Sequence, residues 1–152
     1  MLNELGQGVF DNRYIKDRNM TGDDFVLCYR DNQVLLKKTD NNFELPRKND
    51  ISEPVESPVY LFSIHSINCF GIPVTQAKDT NLEFHDIYAL RNLENKEHAW
   101  IGSAGYQLMT WYANNKYCGR CGSETEIKKE ERSVFCPECQ LVEYPRISPA
   151  VI

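Results

Sequence analysis

Cys118-Gly119-Arg120-Cys121 and Cys136-Pro137-Glu138-Cys139 are two C-x-x-C pairs with fourteen residues between them. Each pair turns tightly enough for both thiolates to reach one ion, and the intervening residues form the arm that brings the second pair round to the first. The pattern predicts a tetrahedral four-thiolate site. Such a site leaves no open position for substrate, so its ion is structural, with Zn2+ as the expected occupant. Iron suits the same four-sulfur geometry. Gly119 and Gly122 supply backbone freedom for amides to point at the sulfurs, and Pro137 pre-sets the second turn. Residues 126–135 carry the hairpin arms, with Ile127, Val134 and Phe135 expected beside the site. A segment this short cannot bury enough apolar surface to fold alone, so a bound ion supplies the missing free energy.

Upstream of the cysteines the signals are those of strands. Phe25-Val26-Leu27-Cys28-Tyr29-Arg30 and Gln33-Val34-Leu35-Leu36-Lys37 flank Asp31-Asn32, a hairpin whose turn residues tolerate positive φ. Residues 41–58 are polar and contain proline, and read as a loop. Residues 60–67 are rich in β-formers, with Asn68-Cys69-Phe70-Gly71-Ile72 pairing beside them. Residues 84–90 fit a strand or a helix. Trp100, Ala104, Leu108, Trp111 and Tyr112 recur at three- and four-residue steps, which predicts an amphipathic helix over 93–115. Gly102 and Gly105 lie inside it, each weakening a helix by up to about 1 kcal/mol relative to Ala. The expected class is α+β: a small, mostly antiparallel β domain closing with a C-terminal helix over residues 1–116, then a four-cysteine zinc ribbon over 117–144.

Composition excludes several alternatives. The chain of 152 residues carries 41% hydrophobic and 11% aromatic residues, enough for a core, and a formal net charge of −5. That balance gives no support to nonspecific binding of nucleic acid or anionic lipid. No apolar run has membrane length and the N-terminus has no signal-peptide pattern, so no membrane association and a reducing, cytoplasmic compartment are expected. Cys28 and Cys69 read as small core hydrophobes. His65, His85 and His98 lack ligand spacing and read as structural or exposed.

Tyr117-Cys118-Gly119-Arg120-Cys121-Gly122, Phe135-Cys136-Pro137-Glu138-Cys139 and Tyr144-Pro145-Arg146-Ile147-Ser148-Pro149-Ala150-Val151-Ile152 together resemble the NADH pyrophosphatase family of Nudix hydrolases. Ala104, Leu108 and Trp111, ahead of Lys116-Tyr117-Cys118, resemble the family's inter-domain helix. Phe43-Glu44-Leu45-Pro46-Arg47 and Tyr88-Ala89-Leu90-Arg91 are looser matches to its N-terminal domain. The resemblance implies hydrolysis of NAD(H) to AMP and NMN(H), removal of NAD caps from RNA, a homodimer, and Mg2+ or Mn2+ held by glutamates of a Nudix box. No G-x5-E-x7-R-E-x2-E-E-x-G pattern occurs in these residues, and pyrophosphate hydrolysis needs clustered carboxylates to hold metal and position water. Residues 145–152 are therefore expected to open a catalytic domain that lies beyond them, and the fragment itself is expected to be inactive. By the same resemblance, Tyr144, Glu131, Arg91 and Arg47 match substrate-contacting positions, with Lys48 as a neighbour able to replace Arg47. Guanidinium groups pair with phosphate and a tyrosine ring stacks on a base.

Plainer readings stand beside these. Tyr144 packs against the ribbon, Arg47, Arg91 and Glu131 are solvated surface charges, and Trp100 and Trp111 are core or interdomain packing. A different function class, a stand-alone zinc-ribbon module recruiting RNA, DNA or protein, predicts a basic face. Residues 117–146 contain Arg120, Lys128, Lys129, Arg132 and Arg146 against Glu124, Glu126, Glu130, Glu131, Glu138 and Glu143, which is no such face. A rubredoxin-like electron carrier is a third class and would be coloured by iron-thiolate absorbance.

Overall fold

The computed structural model describes residues 9–15, 17–73 and 81–146. Of residues 145–152, expected to open a further domain, 147–152 lie outside the described residues. In chain order the elements are β1 (Phe10–Asp11), β2 (Phe25–Arg30), β3 (Gln33–Lys38), β4 (Phe43–Glu44), β5 (Val59–Ile64), β6 (Ile67–Ile72), β7 (Leu82–Asp86), α1 (Lys96–Asn114), β8 (Glu126–Ile127), β9 (Val134–Phe135) and β10 (Val142–Glu143). The first seven strands form one sheet in the order β1-β5-β6-β2-β3-β4, with β7 on the other edge of β3. Pairing is antiparallel except between β2 and β6, which run parallel with Phe25 opposite Cys69 and Cys28 opposite Ile72.

The continuous apolar run of β2 is explained by burial on both faces. Phe25 and Leu27 join Leu61, Phe62, Ile64, Leu90, Ala99 and Ile101 in the core beneath α1. Val26 and Cys28 face the opposite side with Leu35, Ile51, Ile72 and Leu82, where Met20, Val55 and Phe84 cover them. A strand covered on both sides has no polar alternation to show. A register shift between Tyr60 and Phe62 puts Leu61 and Phe62 in the same core, as a bulge does.

The β2–β3 hairpin forms as its turn chemistry predicts, with Asp31 at φ 52°. The β5–β6 turn is less legible: His65 and Ser66 both take positive φ, 47° and 66°, without glycine or asparagine. The 41–58 segment is mostly irregular but contains β4 and a 3-10 turn at Lys48–Asp50, drawn to β3 by Lys37, whose ammonium lies 3.3 Å from Glu44 and 2.7 Å from Asp50. The ambiguous 84–90 stretch is two elements: strand through Asp86, then a 3-10 turn at Ile87–Asn92 started by the Asp86 carboxylate accepting from the Tyr88 amide.

Helix α1 begins where the Asn95 side chain accepts from the amides of Glu97 and His98 at 3.0 and 3.3 Å, satisfying two of its orphan donors. Its Trp100, Ala104, Leu108 and Tyr112 pack on the core as the periodicity predicts. Gly102 and Gly105 are explained by close approach: a Cβ on Gly105 would sit 2.4 Å from Leu27 Cδ1, and one on Gly102 2.6 Å from Leu90 Cδ2. The Tyr29 hydroxyl uses this slot to donate to the Gly102 carbonyl at 2.6 Å. Below the helix, β10-β9-β8 form the three-stranded ribbon.

Candidate metal centre

The two cysteine pairs are built alike. In the first, the Gly122 amide donates to the Cys118 carbonyl at 2.9 Å and the Cys118 amide to the Ser123 carbonyl at 2.8 Å; in the second, Gln140 donates to Cys136 at 3.0 Å and Cys136 to Leu141 at 2.9 Å. The residue after each second cysteine lies in the left-handed region, Gly122 at φ 79° and Gln140 at φ 59°. The glycine expectation therefore holds for Gly122. Gly119 is not at positive φ, and the conformation that glycine favours is taken by Gln140 in the second knuckle, where its side-chain amide donates to the Pro137 carbonyl at 2.8 Å.

The four sulfurs lie within 4.8 Å of one another, with Cys118–Cys139 and Cys121–Cys136 at 3.5 Å. Tetrahedral zinc with Zn–S bonds of about 2.3 Å requires sulfur–sulfur separations of roughly 3.8 Å, so the quartet fits the ion. Backbone amides of Cys121 and Arg120 hold the Cys118 thiol below its ordinary pKa, and hydrogen bonds from the Ser123 hydroxyl and amide bring Cys121 to about 6. Cys118 and Cys136 are buried, Cys139 half-buried and Cys121 exposed. Val134 is buried beside them, whereas Ile127, expected to pack there, is 46% exposed. When bound, zinc would join the two knuckles as a structural crosslink, and no open coordination position remains for other chemistry.

Of the residues expected at a substrate site, the structure brings two together. The Tyr144 hydroxyl donates to Glu131 Oε1 at 3.0 Å, and the same oxygen is 3.2 Å from Lys128 Nζ and from the Ser133 hydroxyl. The Lys128 ammonium, then the Tyr144 hydroxyl, hold the Glu131 carboxyl below its ordinary range, and Glu131 in turn raises the Tyr144 phenol. Tyr144 is 51% exposed, so its ring is open to a partner. Lys128 and Ser133 were not legible as members of this group, because they converge only when the hairpin turns. Arg91 and Arg47 lie on the sheet domain with partners of their own. Arg91 is exposed, its guanidinium 5.0 Å from the Tyr88 ring centroid. Arg47 donates to the Asp23 carbonyl and lies 4.3 Å from the Phe25 ring centroid. A cleft of about 660 Å³ separates α1 from the ribbon, walled by Gln107, Trp111 and Asn114 on one side and Tyr117, Leu141 and Arg146 on the other.

The remaining cysteines and His98 serve the core, whereas His65 is exposed with its Nε2 2.9 Å from Glu97 Oε2. Burial pushes the Cys28 thiol up to about 11 and raises Cys69 further. His98 is buried and its Nδ1 accepts from the Leu45 amide at 3.2 Å. Among the described residues, the cysteine quartet is the group of three or more potential ligands that closes on one point.

Comparison with known proteins agrees with this architecture. The family model described as NADH pyrophosphatase zinc ribbon domain matches residues 113–144. A protein named NAD-capped RNA hydrolase NudC from Pseudomonas fluorescens (strain Pf0-1) is 32% identical over 97 residues, covering 62% of this chain and 31% of that protein. A protein of the same name from Stutzerimonas stutzeri (strain A1501) is 41% identical over 46 residues, covering 30% of this chain and 17% of its own length. One from Klebsiella pneumoniae (strain 342) is 31% identical over 70 residues, covering 45% and 27%. The chain thus spans less than a third of the length of the curated relatives it matches. The model described as NADH pyrophosphatase-like rudimentary NUDIX domain matches residues 23–111, more than half of the chain, and on that match the chain belongs to the NADH pyrophosphatase-like family.

Proposed function

We propose that these residues are the N-terminal domain and zinc ribbon of an NAD(H) diphosphatase that hydrolyses NADH to NMNH and AMP and removes NAD caps from RNA. The observation that carries this reading is the pair of family matches, which together cover the sheet domain and the ribbon around an intact cysteine quartet. Hydrolysis belongs to a Nudix domain continuing from residues 145–152, which holds Mg2+ or Mn2+ on clustered carboxylates; the 152 residues alone are inactive. The complete protein works as a cytoplasmic homodimer.

Within this reading, Tyr144 supplies an exposed ring for stacking on a base, and Glu131 orients it through the hydroxyl hydrogen bond. Arg91 offers its guanidinium to phosphate. Arg47 serves the same site only by leaving the Asp23 carbonyl and the Phe25 ring, which makes it the weaker of the two contacts. The test is NADH hydrolysis with Mn2+, followed as AMP release, by this chain and by the chain extended through the complete reading frame. Turnover is expected only from the extended protein. There, Tyr144→Ala should raise KM about five- to tenfold, the equivalent of about 1–1.4 kcal/mol of lost stacking. Turnover by the 152-residue chain, or an unchanged KM for Tyr144→Ala, overturns the corresponding part of the reading.

A further inference from the structure

Apart from the covalent junction, where the Thr125 hydroxyl donates to the Asn115 carbonyl at 2.6 Å, the ribbon meets the sheet domain at the tip of one hairpin, and the chemistry there is concentrated on one side chain. Arg132 Nη1 donates to the Asn12 carbonyl at 3.2 Å and to Asn12 Oδ1 at 2.5 Å, and Nη2 donates to the Leu61 carbonyl. These oxygens lie 120 and 71 residues away in the chain. No carboxylate pairs with this guanidinium among the described residues; neutral oxygens from two segments of the sheet domain receive it. Beside it, the Tyr14 hydroxyl donates to the Lys128 carbonyl at 3.2 Å, a second bond across the same seam. The seam is otherwise poorly satisfied. The Tyr60 hydroxyl is buried there without a hydrogen-bond partner among the described residues, and the buried Tyr112 hydroxyl and Arg132 Nε have only each other's side chain to turn to. Tyr60 also lines a cleft of about 310 Å³ that Tyr14 shares with Ile127 of the ribbon. A seam that buries polar groups so sparingly partnered opens easily unless something ties it.

We propose that Arg132 is the latch that docks the zinc ribbon on the sheet domain, so that the ordered hairpin made by the four-thiolate site stiffens β5 and fixes the neighbouring Glu131–Tyr144 pair relative to the sheet. The planar fork of a guanidinium suits this task, since it reaches two backbone segments at once and a lysine ammonium does not reproduce that geometry. The docking does not depend on what Tyr144 contacts, so it stands or falls separately from the substrate reading.

The test compares the wild-type chain with Arg132→Met, which keeps the length of the side chain and removes the fork, each with zinc and after chelation. Two quantities are read: zinc bound per chain, and amide hydrogen exchange in β5 (Val59–Ile64). In the wild type, chelation should speed β5 exchange at least fivefold. In Arg132→Met, zinc should still bind one per chain, and chelation should change β5 exchange less than twofold. Equal responses in the two proteins, or no response in the wild type, overturn the latch. Should Arg132→Met fail to fold, Arg132→Lys and Tyr14→Phe carry the same comparison. Each should give a response between the two extremes, and a wild-type response in both is the overturning result.

Discussion

At the scale of single residues, the cost of a side chain depends on what stands opposite it. Gly105 is exchanged for Ala with a gain in helix propensity of about 1 kcal/mol if sequence alone is considered. The added Cβ would instead meet Leu27 Cδ1 at 2.4 Å and the Tyr29 hydroxyl at 2.7 Å. Both neighbours are tightly held, Leu27 by complete burial and Tyr29 by its bond to the Gly102 carbonyl. Overpacking of this kind costs typically about 1–3 kcal/mol, so Gly105→Ala should lower the stability measured by urea unfolding by about 1–2 kcal/mol. Gly119→Ala is the control: nothing lies within 4 Å of its Cβ position, and the change should be close to neutral. The glycines in α1 looked like flaws in a helix because only the partner strand reveals why they are there.

At the scale of the element, the two knuckles show one backbone solution reached with different residues. Gly122 adopts φ 79° without a Cβ, whereas Gln140 adopts φ 59° against the usual penalty of a left-handed residue, about 1–2 kcal/mol. The Gln140 side chain recovers part of this through its bond to the Pro137 carbonyl. Gln140→Gly should therefore stabilise the ribbon by up to about 1 kcal/mol, read as slower zinc transfer to a competing chelator. A faster transfer would show that the side-chain bond outweighs the backbone strain. The cysteine spacing made the site legible, because chelation by two tight turns is a local matter. The turn at His65–Ser66 was hidden for the opposite reason: its positive φ values are imposed by pairing of β5 with β6 and by the His65 amide donating to the Val9 carbonyl, not by residues that prefer them.

For the whole molecule, acid should act on two separate supports. His98 reaches from α1 to the Leu45 backbone, with its ring centroid 5.1 Å from that of Phe25. Burial lowers its pKa, and a proton on Nδ1 would oppose the Leu45 amide that now points at it. For a histidine with a depressed folded pKa, the unfolded state binds the extra proton first. Stability is thus fully present above about pH 6.5 and is lost as pH falls from there toward the folded value. The melting temperature of the sheet domain should drop between pH 7.5 and 5.5, and His98→Gln should flatten that drop while leaving zinc content unchanged. The ribbon weakens in acid by its own route, since thiolates must be deprotonated to hold zinc. Equal pH profiles for the wild type and His98→Gln would remove His98 from this account.

The sequence by itself determined the cysteine quartet that could hold an ion, the α+β class, the β2–β3 hairpin, the helical stripe from Trp100 to Tyr112 and the family resemblance, since each is written in local spacing or turn chemistry. Tertiary structure decided the rest. The parallel β2–β6 pairing, the two-sided core, the sharing of residues 84–90 between a strand and a turn, and the roles of Gly102, Gly105 and His98 depend on contacts between segments far apart in the chain. The same is true of the Arg132 seam and the Lys128–Glu131–Tyr144 group. Short-range periodicity carries no information about which distant backbone a side chain will meet, and that meeting is what turned a charged hairpin into a joint.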